Sequence, residues 1–276
     1  MQRKAKSFDN TVINYEINKV PDSKTACGMT LVLLHGAGGD LSVWKKYSKS
    51  FLKMGISTIA FDMRGHGKSG RPGKISDYKL ESFAKDIKIV IEKEKIKRSV
   101  LAGHCFGGMV AITFEGMYPK MAEALILINT PDKSPKRLRH TIGQKHFGML
   151  LGMMPIIHLR KKEFRHNDFE RYVGKGDWNV LRIYSDITHT SFKSWLYTFQ
   201  NIAGFDGTSV LRRIKKPVLL IHGEKDSIFS VSKAEEIHKL AKRSKLSIIP
   251  DANHITVINN PEELKQEMCS FVVSLG

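Results

Sequence analysis

Continuous runs of apolar residues recur along the chain, and most of them end at a glycine or a polar residue. A strand that is covered on both faces of a sheet has such a run, because neither face meets water. The runs predict buried strands within MTLVLLHG, ISTIAFD, RSVLAGH, ALILIN, PVLLIHG and KLSIIP. Near the start, SFDNTVINYEI has short alternating runs on either side of Asp9-Asn10, which predicts a hairpin.

The segments between these runs carry apolar residues at helical spacing. In YKLESFAKDIKIVIEKEKI, the apolar stripe consists of Leu80, Phe83, Ile87, Val90 and Ile91. Further helices are predicted in DLSVWKKYSKSFLKMG, after Cys105 to about Tyr118, in VSKAEEIHKLAKRS and in NPEELKQEMCSFVVSL. This alternation of strands and helices predicts an α/β fold, with a mostly parallel central sheet and helices on both faces.

The alternation breaks between about Pro131 and Thr208. This stretch has helix-like pieces and several aromatic residues, but no clear buried strand. The simplest account is one α/β domain that is interrupted by a mainly helical insertion. The predicted boundaries are residues 1–131 for the first part of the core, 132–207 for the insertion and 208–276 for the second part.

The net charge and the length of the apolar runs limit the kinds of partner that we expect. The 276-residue chain has a net charge of +18, which raises the possibility of nucleic-acid or anionic-membrane binding. Its basic residues are spread along the whole chain and form no stripe with interleaved aromatics, so solvated basic faces are favoured and no nucleic-acid partner is predicted. No apolar run approaches the roughly 18 residues that a membrane span needs. A soluble, cytoplasmic monomer or homodimer is expected.

Three widely spaced cysteines, Cys27, Cys105 and Cys269, are typical of reduced thiols rather than of a disulfide framework. No cluster of Cys and His has zinc-site spacing, so neither a metal nor a cofactor is predicted.

The segment LAGHCFGGMV holds the strongest candidate for chemistry. Gly103-His104-Cys105-Phe106-Gly107 has the form of a sharp strand-to-helix turn that lifts one nucleophile above a sheet. Glycine two residues before and two after the apex relieves the close backbone approach, and the helix N-terminus favours a thiolate at Cys105. A plain turn with a small buried cysteine is the alternative interpretation of these residues.

Partners for such a nucleophile occur at two later strand ends. Asp226 follows PVLLIHG and His254 follows KLSIIP, which gives the chain order nucleophile, acid, histidine that this kind of fold uses. Glu224 is a less favoured acid, and Asp132 is the runner-up position. The backbone N–H groups of Ala37 and Phe106 are predicted to form an oxyanion hole.

The motifs LLHGAGG, FDMRGHGKSG, LAGHCFGG, LLIHGEKD and DANH together resemble the α/β-hydrolase fold. The resemblance is to the group of cap-bearing esterases, epoxide hydrolases and carbon–carbon-bond hydrolases. It implies Cys105 as nucleophile, Asp226 as acid and His254 as base, with residues 132–207 as the cap. It also implies that Asp62, Arg64 and Ser69 belong to a structural loop.

Cys105 departs from the family pattern, which has serine at this position in most members and aspartate in the dehalogenase and epoxide-hydrolase branches. A cysteine argues against both aspartate-dependent activities. It predicts a thioester intermediate, which can pass its acyl group to water or to another acceptor. The resemblance implies water as the acceptor, hence a hydrolase of esters or thioesters acting on a small acyl substrate. An acyltransferase and a receptor with little turnover remain alternatives, and so does a deliberate replacement of a native serine by Cys105.

Several residues are predicted to line the substrate pocket. These are Gly36 and His104 near the nucleophile, and Met149, Met153 and Trp178 in the cap. The alternative for the cap residues is packing within the cap itself. His35, His66 and His222 are predicted to be structural.

Overall fold

In the computed structural model, eight strands form one sheet in the order β1-β2-β4-β3-β5-β6-β7-β8. The structure describes residues 1–21, 25, 27–134 and 165–276. The strands are β1 (Gln2–Lys6), β2 (Val12–Asn18), β3 (Thr30–Leu34), β4 (Ser57–Asp62), β5 (Ser99–His104), β6 (Ala124–Ile128), β7 (Val218–Gly223) and β8 (Ser244–Ile249). All six predicted strands are present, and the predicted α/β fold is confirmed. The last of them, β8, lies at the edge of the sheet and is mostly half-buried, so its predicted burial is wrong.

The sheet is parallel from β4 to β8. The opening hairpin pairs β1 with β2 antiparallel, and β2 pairs with β4 antiparallel. In the centre, Val32 of β3 lies opposite Ile59 of β4 on one side and Leu101 of β5 on the other. Because β3 to β8 all run in one direction, the loops that follow them meet at one edge of the sheet.

Helices cover both faces of the sheet. Within the described residues they are α1 (Lys45–Lys53), α2 (Leu80–Lys93), α3 (Phe106–Met117), α4 (Val180–Thr190), α5 (Phe192–Gly204), α6 (Thr208–Arg213), α7 (Val231–Leu240), α8 (Thr256–Asn259) and α9 (Pro261–Val273). The predicted helix at Asp40 begins with a 3-10 turn, Leu41–Trp44, in which the Ser42 N–H donates to the Asp40 carboxylate. The short helix α8 was not expected from the sequence.

Alternate residues of each strand enter two separate apolar cores. Val32 and Leu34 of β3 pack in the core that α2 and α3 cover, whereas Leu31 and Leu33 pack in the core that α1 and α9 cover. Both faces of the strand are therefore buried, which explains why the sequence shows continuous apolar runs rather than alternation.

The loop that resembles the family's structural segment packs as scaffold. Arg64 is fully buried and forms ion pairs with Asp86 at 2.6 Å and with Asp9 at 2.9 Å. Asp62 accepts hydrogen bonds from the backbone N–H groups of Leu41 and Lys68. These bonds join the loop to neighbouring segments of the core, so the chemistry lies elsewhere.

The insertion between β6 and α6 begins and ends at one point of the core. The Gly207 N–H donates to the Asp132 carbonyl at 2.8 Å, and Lys133 forms a β-bridge with Asp206. The described part of this insertion, from residue 165 onward, contains α4 and α5. In the part of the chain that the structure describes, no helix combines the length and apolarity needed to span a membrane.

Candidate active site

Cys105 lies at the apex of the turn between β5 and α3. Its backbone has φ 50° and ψ −109°, a strained conformation for a residue with a side chain. A Cβ atom added to Gly103 would lie 2.3 Å from the Gly107 backbone, and one added to Gly107 would lie 2.3 Å from the Leu34 carbonyl oxygen. The flanking glycines are therefore required by backbone contacts, as the sequence predicted.

His254 has its predicted acid and its predicted nucleophile beside it. Its Nδ1 donates to Asp226 Oδ2 at 2.8 Å. Burial disfavours the imidazolium, but the nearby side chains of Cys105 and Asp226 outweigh it and raise the pKa of His254 to about 10. The imidazole is therefore held in its protonated form close to Cys105.

Asp226 is held in its ionised form. Burial alone would favour the neutral acid, but the hydrogen bond and charge of His254 and the N–H groups of Phe229 and Ile228 lower the pKa of Asp226. These backbone groups both donate to Oδ1, at 2.9 and 2.8 Å, which leaves Oδ2 for His254. The carboxylate can thus orient the imidazole and stabilise its positive charge.

Asn129 is a site residue that the sequence analysis missed. It follows β6, is fully buried and has a positive φ of 47°. Its Nδ2 donates to Asp226 Oδ2 at 2.9 Å, and its Oδ1 accepts from the Thr256 hydroxyl at 3.1 Å. An asparagine at the end of a buried strand was the only signal, since asparagine tolerates this backbone conformation.

The two alternative acids make other contacts. Asp132 Oδ1 lies 3.5 Å from the Lys233 ammonium, and Glu224 Oε2 accepts from the backbone N–H of Asp251 at 3.0 Å. The carboxylate that receives His254 Nδ1 is that of Asp226.

His104 holds the backbone of His254 in place. Its Nε2 donates to the His254 carbonyl oxygen at 2.8 Å. Burial, reinforced by the charge of His254, lowers the pKa of His104 to about 3, so its ring is neutral. A neutral His104 can hold the loop without adding a second positive charge beside His254.

The predicted oxyanion donors lie on two segments beside the apex. Phe106 is the first residue of α3, where backbone N–H groups have no partner within the helix. Its ring packs edge-on against Phe83 with centroids 5.0 Å apart, which fixes the start of the helix. Ala37 lies in the turn after β3 and, with Gly36 and His104, lines a cavity of about 40 Å³.

The other histidines near this edge have structural hydrogen bonds. His35 Nδ1 donates to the Gly36 carbonyl, and its Nε2 accepts from the Met63 N–H. His66 donates from Nδ1 to the Arg64 carbonyl, and His222 donates from Nε2 to the Phe229 carbonyl. Each ring is tied to the main chain, in keeping with the structural interpretation.

The insertion reaches the site through Asp177, a second residue that the sequence analysis missed. Asp177 lies before α4 and is 6% exposed. Its Oδ1 accepts from the backbone N–H of His254 at 2.8 Å, and its Oδ2 accepts from the Ser227 N–H at 3.1 Å and hydroxyl at 2.7 Å. No sequence signal marks this loop aspartate, because the contact joins segments that are far apart in the chain.

Of the three predicted cap residues, the structure describes only Trp178. Met149 and Met153 lie outside the described residues. Trp178 is 67% exposed and is not among the residues that line the small cavity. Among the residues of α4, Arg182 and Asp186 reach that cavity.

One group of side chains in the described part of the chain has the composition of a metal site. The potential ligand atoms of Asp40, Asp62 and His166 lie within 4.8 Å of one another. Hydrogen bonds already use these atoms: His166 Nε2 donates to Asp62 Oδ2 at 2.8 Å, and Asn167 N donates to Asp40 Oδ2 at 2.6 Å. We interpret the group as an anchor of the insertion on the core.

Comparisons with known proteins agree with this architecture. The chain is 24% identical over 265 residues to epoxide hydrolase 3 of Xenopus tropicalis, covering 88% of this chain and 71% of the relative. It is also 24% identical over 253 residues to protein ABHD8 of Bos taurus, covering 89% of this chain and 56% of the relative. This chain thus spans little more than half the length of the ABHD8 protein.

Among solved structures, an esterase from Exiguobacterium antarcticum superposes with a TM-score of 0.74 at 21% identity, covering 99% of both chains. At this identity the likeness concerns the fold. A family model described as the alpha/beta hydrolase fold matches residues 30–261. The strand order, the turn at Cys105 and this match over most of the chain lead to one conclusion: the chain belongs to the alpha/beta hydrolase fold family.

Proposed function

We propose that this protein hydrolyses a carboxylic ester or thioester through an acyl-enzyme on Cys105, with Cys105, His254 and Asp226 as the catalytic triad. The observation that carries the proposal is the bond of 2.8 Å between His254 Nδ1 and the Asp226 carboxylate, on a histidine whose pKa Cys105 also raises. Nucleophile, base and orienting acid then form one continuous chain.

The first half-reaction forms a thioester. The Cys105 sulfur attacks the acyl carbon, and its proton resides on His254. The N–H groups of Ala37 and Phe106 stabilise the oxyanion of the tetrahedral intermediate. When this intermediate collapses, the bond to the leaving group breaks and His254 returns its proton to the leaving oxygen or sulfur. Asp226 stabilises the imidazolium throughout.

The second half-reaction consumes water. His254 is neutral once the leaving group has taken its proton, so it can remove a proton from water as the water attacks the thioester carbon. The C–S bond then breaks, the carboxylic acid leaves and the thiolate–imidazolium pair is restored.

The epoxide hydrolases among the relatives suggest epoxide opening as a second activity. Attack of Cys105 on an epoxide carbon would form a thioether, which has no carbonyl for water to attack. Such an adduct would be permanent, whereas an acyl thioester is hydrolysed. The chemistry of sulfur therefore favours acyl substrates, and a simple epoxide should label Cys105 once without turnover.

The same thioester could be transferred to an alcohol, amine or thiol instead of water. It could also persist, as in a receptor that turns over its ligand very slowly. Hydrolysis is favoured because the relatives and structural neighbours named above as esterase or epoxide hydrolase use water. Acceptor choice is measured directly by adding a small alcohol or amine and comparing transfer with hydrolysis.

The test is turnover of p-nitrophenyl acetate and p-nitrophenyl butyrate, with intact-protein mass spectrometry of the quenched enzyme. We expect a burst of p-nitrophenol and a mass increase of one acyl group on Cys105. Cys105→Ala should abolish both the burst and the adduct. Cys269→Ser, which changes a thiol outside the site, is the matched control and should retain both. Full activity of Cys105→Ala would overturn the proposal.

A further inference from the structure

Asp177 joins the two loops that carry the acid and the base. Its two carboxylate oxygens accept from different loops: Oδ1 from the His254 N–H at 2.8 Å, and Oδ2 from the N–H and hydroxyl of Ser227, the residue after Asp226. Because the two oxygens belong to one rigid carboxylate, these bonds fix the distance between the loops. The side-chain bond between Asp226 and His254 spans the same gap.

The segment that presents Asp177 is itself held in place. Arg182 Nη2 donates to the Asp177 carbonyl oxygen at 2.7 Å, and the same guanidinium pairs with Asp186 at 2.6 Å. Two residues earlier, the Lys175 carbonyl accepts from the side-chain amide of Asn253 at 3.0 Å. The carboxylate thus belongs to a segment fixed from α4 and from the loop before His254.

The backbone N–H of His254 also bears on the position of its ring. The ring is already bonded to Asp226, and the His254 carbonyl oxygen accepts from His104. With Asp177 on the N–H, both main-chain polar groups of His254 have partners. A hydrogen bond accepted by a carboxylate is stronger than a neutral one, so Asp177 should hold the His254 backbone more firmly than His104 does.

We propose that Asp177 is a positioning residue for the triad, which the helical insertion supplies to the core. The inference rests on the proposed catalytic role of His254. Loss of the carboxylate would let the His254 loop move relative to Cys105, and a displacement of about 1 Å in an active site can cost roughly a hundredfold in rate. The effect should fall on the chemical step rather than on substrate affinity.

The competing explanation is that Asp177 merely attaches the insertion to the core. Another contact of the insertion provides the matched control: Glu170 pairs with Lys46 of the core at 2.7 Å, and both side chains are exposed. Glu170→Ala removes an insertion–core contact that does not touch the triad loops. A general attachment role predicts similar effects of both substitutions, whereas positioning predicts an effect of Asp177 alone.

The kinetic test compares Asp177→Ala, Asp177→Asn and Glu170→Ala on p-nitrophenyl acetate. We expect Asp177→Ala to lower kcat about 10- to 100-fold with little change in KM, and Glu170→Ala to match the wild type. Asp177→Asn keeps the size of the side chain but places an NH2 group against one of two N–H donors, so its kcat should be several-fold lower than that of the wild type. This variant also provides the test if Asp177→Ala does not fold.

A second readout needs no substrate and separates this inference from the proposed function. Iodoacetamide alkylation of Cys105, followed by peptide mass spectrometry, is measured at about pH 6.5 and about pH 9.5. A well-placed His254 takes up the proton of Cys105, so alkylation at the lower pH stays fast. The quantity compared is the ratio of the alkylation rate at the lower pH to the rate at the higher pH. We expect this ratio to fall about tenfold in His254→Ala, to fall in both Asp177 variants and to stay unchanged in Glu170→Ala.

The outcomes are distinct. If no ester is turned over but the alkylation ratio falls in the Asp177 variants, the proposed function is wrong and the positioning role stands. If both Asp177 variants match the wild type in kcat and in the alkylation ratio, the positioning role is wrong. It is equally wrong if His254→Ala leaves the ratio unchanged, because Asp177 would then have no active imidazole to position.

Discussion

The side-chain amide of Asn129 donates to the same oxygen of Asp226 that receives the His254 imidazole, at 2.9 Å and 2.8 Å respectively. Asp226 Oδ2 therefore accepts two hydrogen bonds, one from the group that it orients and one from a fixed residue at the end of β6. The amide limits the directions that the carboxylate can take, and through it the directions open to the ring.

Replacement of Asn129 by aspartate tests this arrangement. The carboxylate is isosteric and also tolerates the positive φ at this position, but it places a second negative charge against Asp226. Like charges disfavour ionisation and raise the pKa of a carboxyl group, so the acid limb of the kcat/KM profile should move upward by roughly one pH unit or more. Esterase rates measured across the pH range provide the check.

The matched control for this substitution is Asp132→Asn. Asp132 pairs with Lys233, so its loss should leave the pH profile unchanged. A shifted profile in Asp132→Asn, or none in Asn129→Asp, would contradict the assignment of Asp226 as the orienting acid.

Cys105→Ser should lower the pKa of His254. The charge of Cys105 is one of the causes that raise this pKa to about 10, and a serine hydroxyl carries no charge near neutral pH. We expect the midpoint to fall by roughly one pH unit or more, while Asp226 keeps it above the ordinary value. The measurement is an NMR titration of the histidine rings, with the His254 signal assigned from a His254→Gln variant.

Cys269→Ser is the control for that titration, because Cys269 packs against the core on the opposite side from the catalytic turn. The same His254 midpoint in Cys105→Ser and in the wild type would argue against a thiolate–imidazolium pair.

Gly107→Ala should destabilise the fold at the catalytic turn. Its Cβ would lie 2.3 Å from the Leu34 carbonyl oxygen, a backbone atom that cannot move aside alone. Overpacking of this kind costs about 1–3 kcal/mol of unfolding free energy, and here the backbone clash places the effect at the upper end or beyond. Urea denaturation measures the loss. Gly73→Ala, where an added Cβ meets nothing within 4 Å, should be nearly neutral.

The link between His166 and Asp62 should make stability depend on pH. Burial opposes protonation of His166, but the hydrogen bond and charge of Asp62 raise the pKa of His166 above its ordinary value of 6.5. A pKa raised on folding stabilises the protein fully below the unfolded-state pKa, and this contribution is lost as the pH rises through the folded-state pKa. The wild type should therefore lose about 1–2 kcal/mol from this pair toward alkaline pH.

Urea unfolding of the wild type and of His166→Gln at about pH 6 and about pH 9 measures this contribution. The two proteins should differ most at the lower pH and converge at the higher one. A difference that is equal at both pH values would mean that the charge of His166 does not contribute.

The buried strands and the turn at Cys105 were the parts most accessible from the sequence. The runs ending at Leu34, His104 and Gly223 are short and mostly apolar, which is typical of a parallel strand buried on both faces. The turn at Cys105 was predictable because backbone crowding permits only glycine on either side of the apex. In both cases the cause is local, so a short window of sequence carries the information.

Asn129, Asp177 and the small helix α8 were not predictable in this way. Asn129 looks like any polar residue that ends a strand, and its role appears only when β6 lies beside β7. Asp177 acts on residues 50 and 77 positions away in the chain. Such contacts depend on how loops from different strands meet, and neither periodicity nor spacing encodes that.

The junction of the insertion has a consequence for how this protein can be re-engineered and how it could have diversified. Since Asp132 and Gly207 are hydrogen-bonded neighbours, a different insertion with the same spacing of its ends should join the core without a change in the pairing of β6 and β7. A transplanted insertion would leave Cys105 and its turn unchanged. It would also remove a carboxylate from the backbone of His254, so a working chimaera needs an acceptor at that place as well as a matching pair of ends.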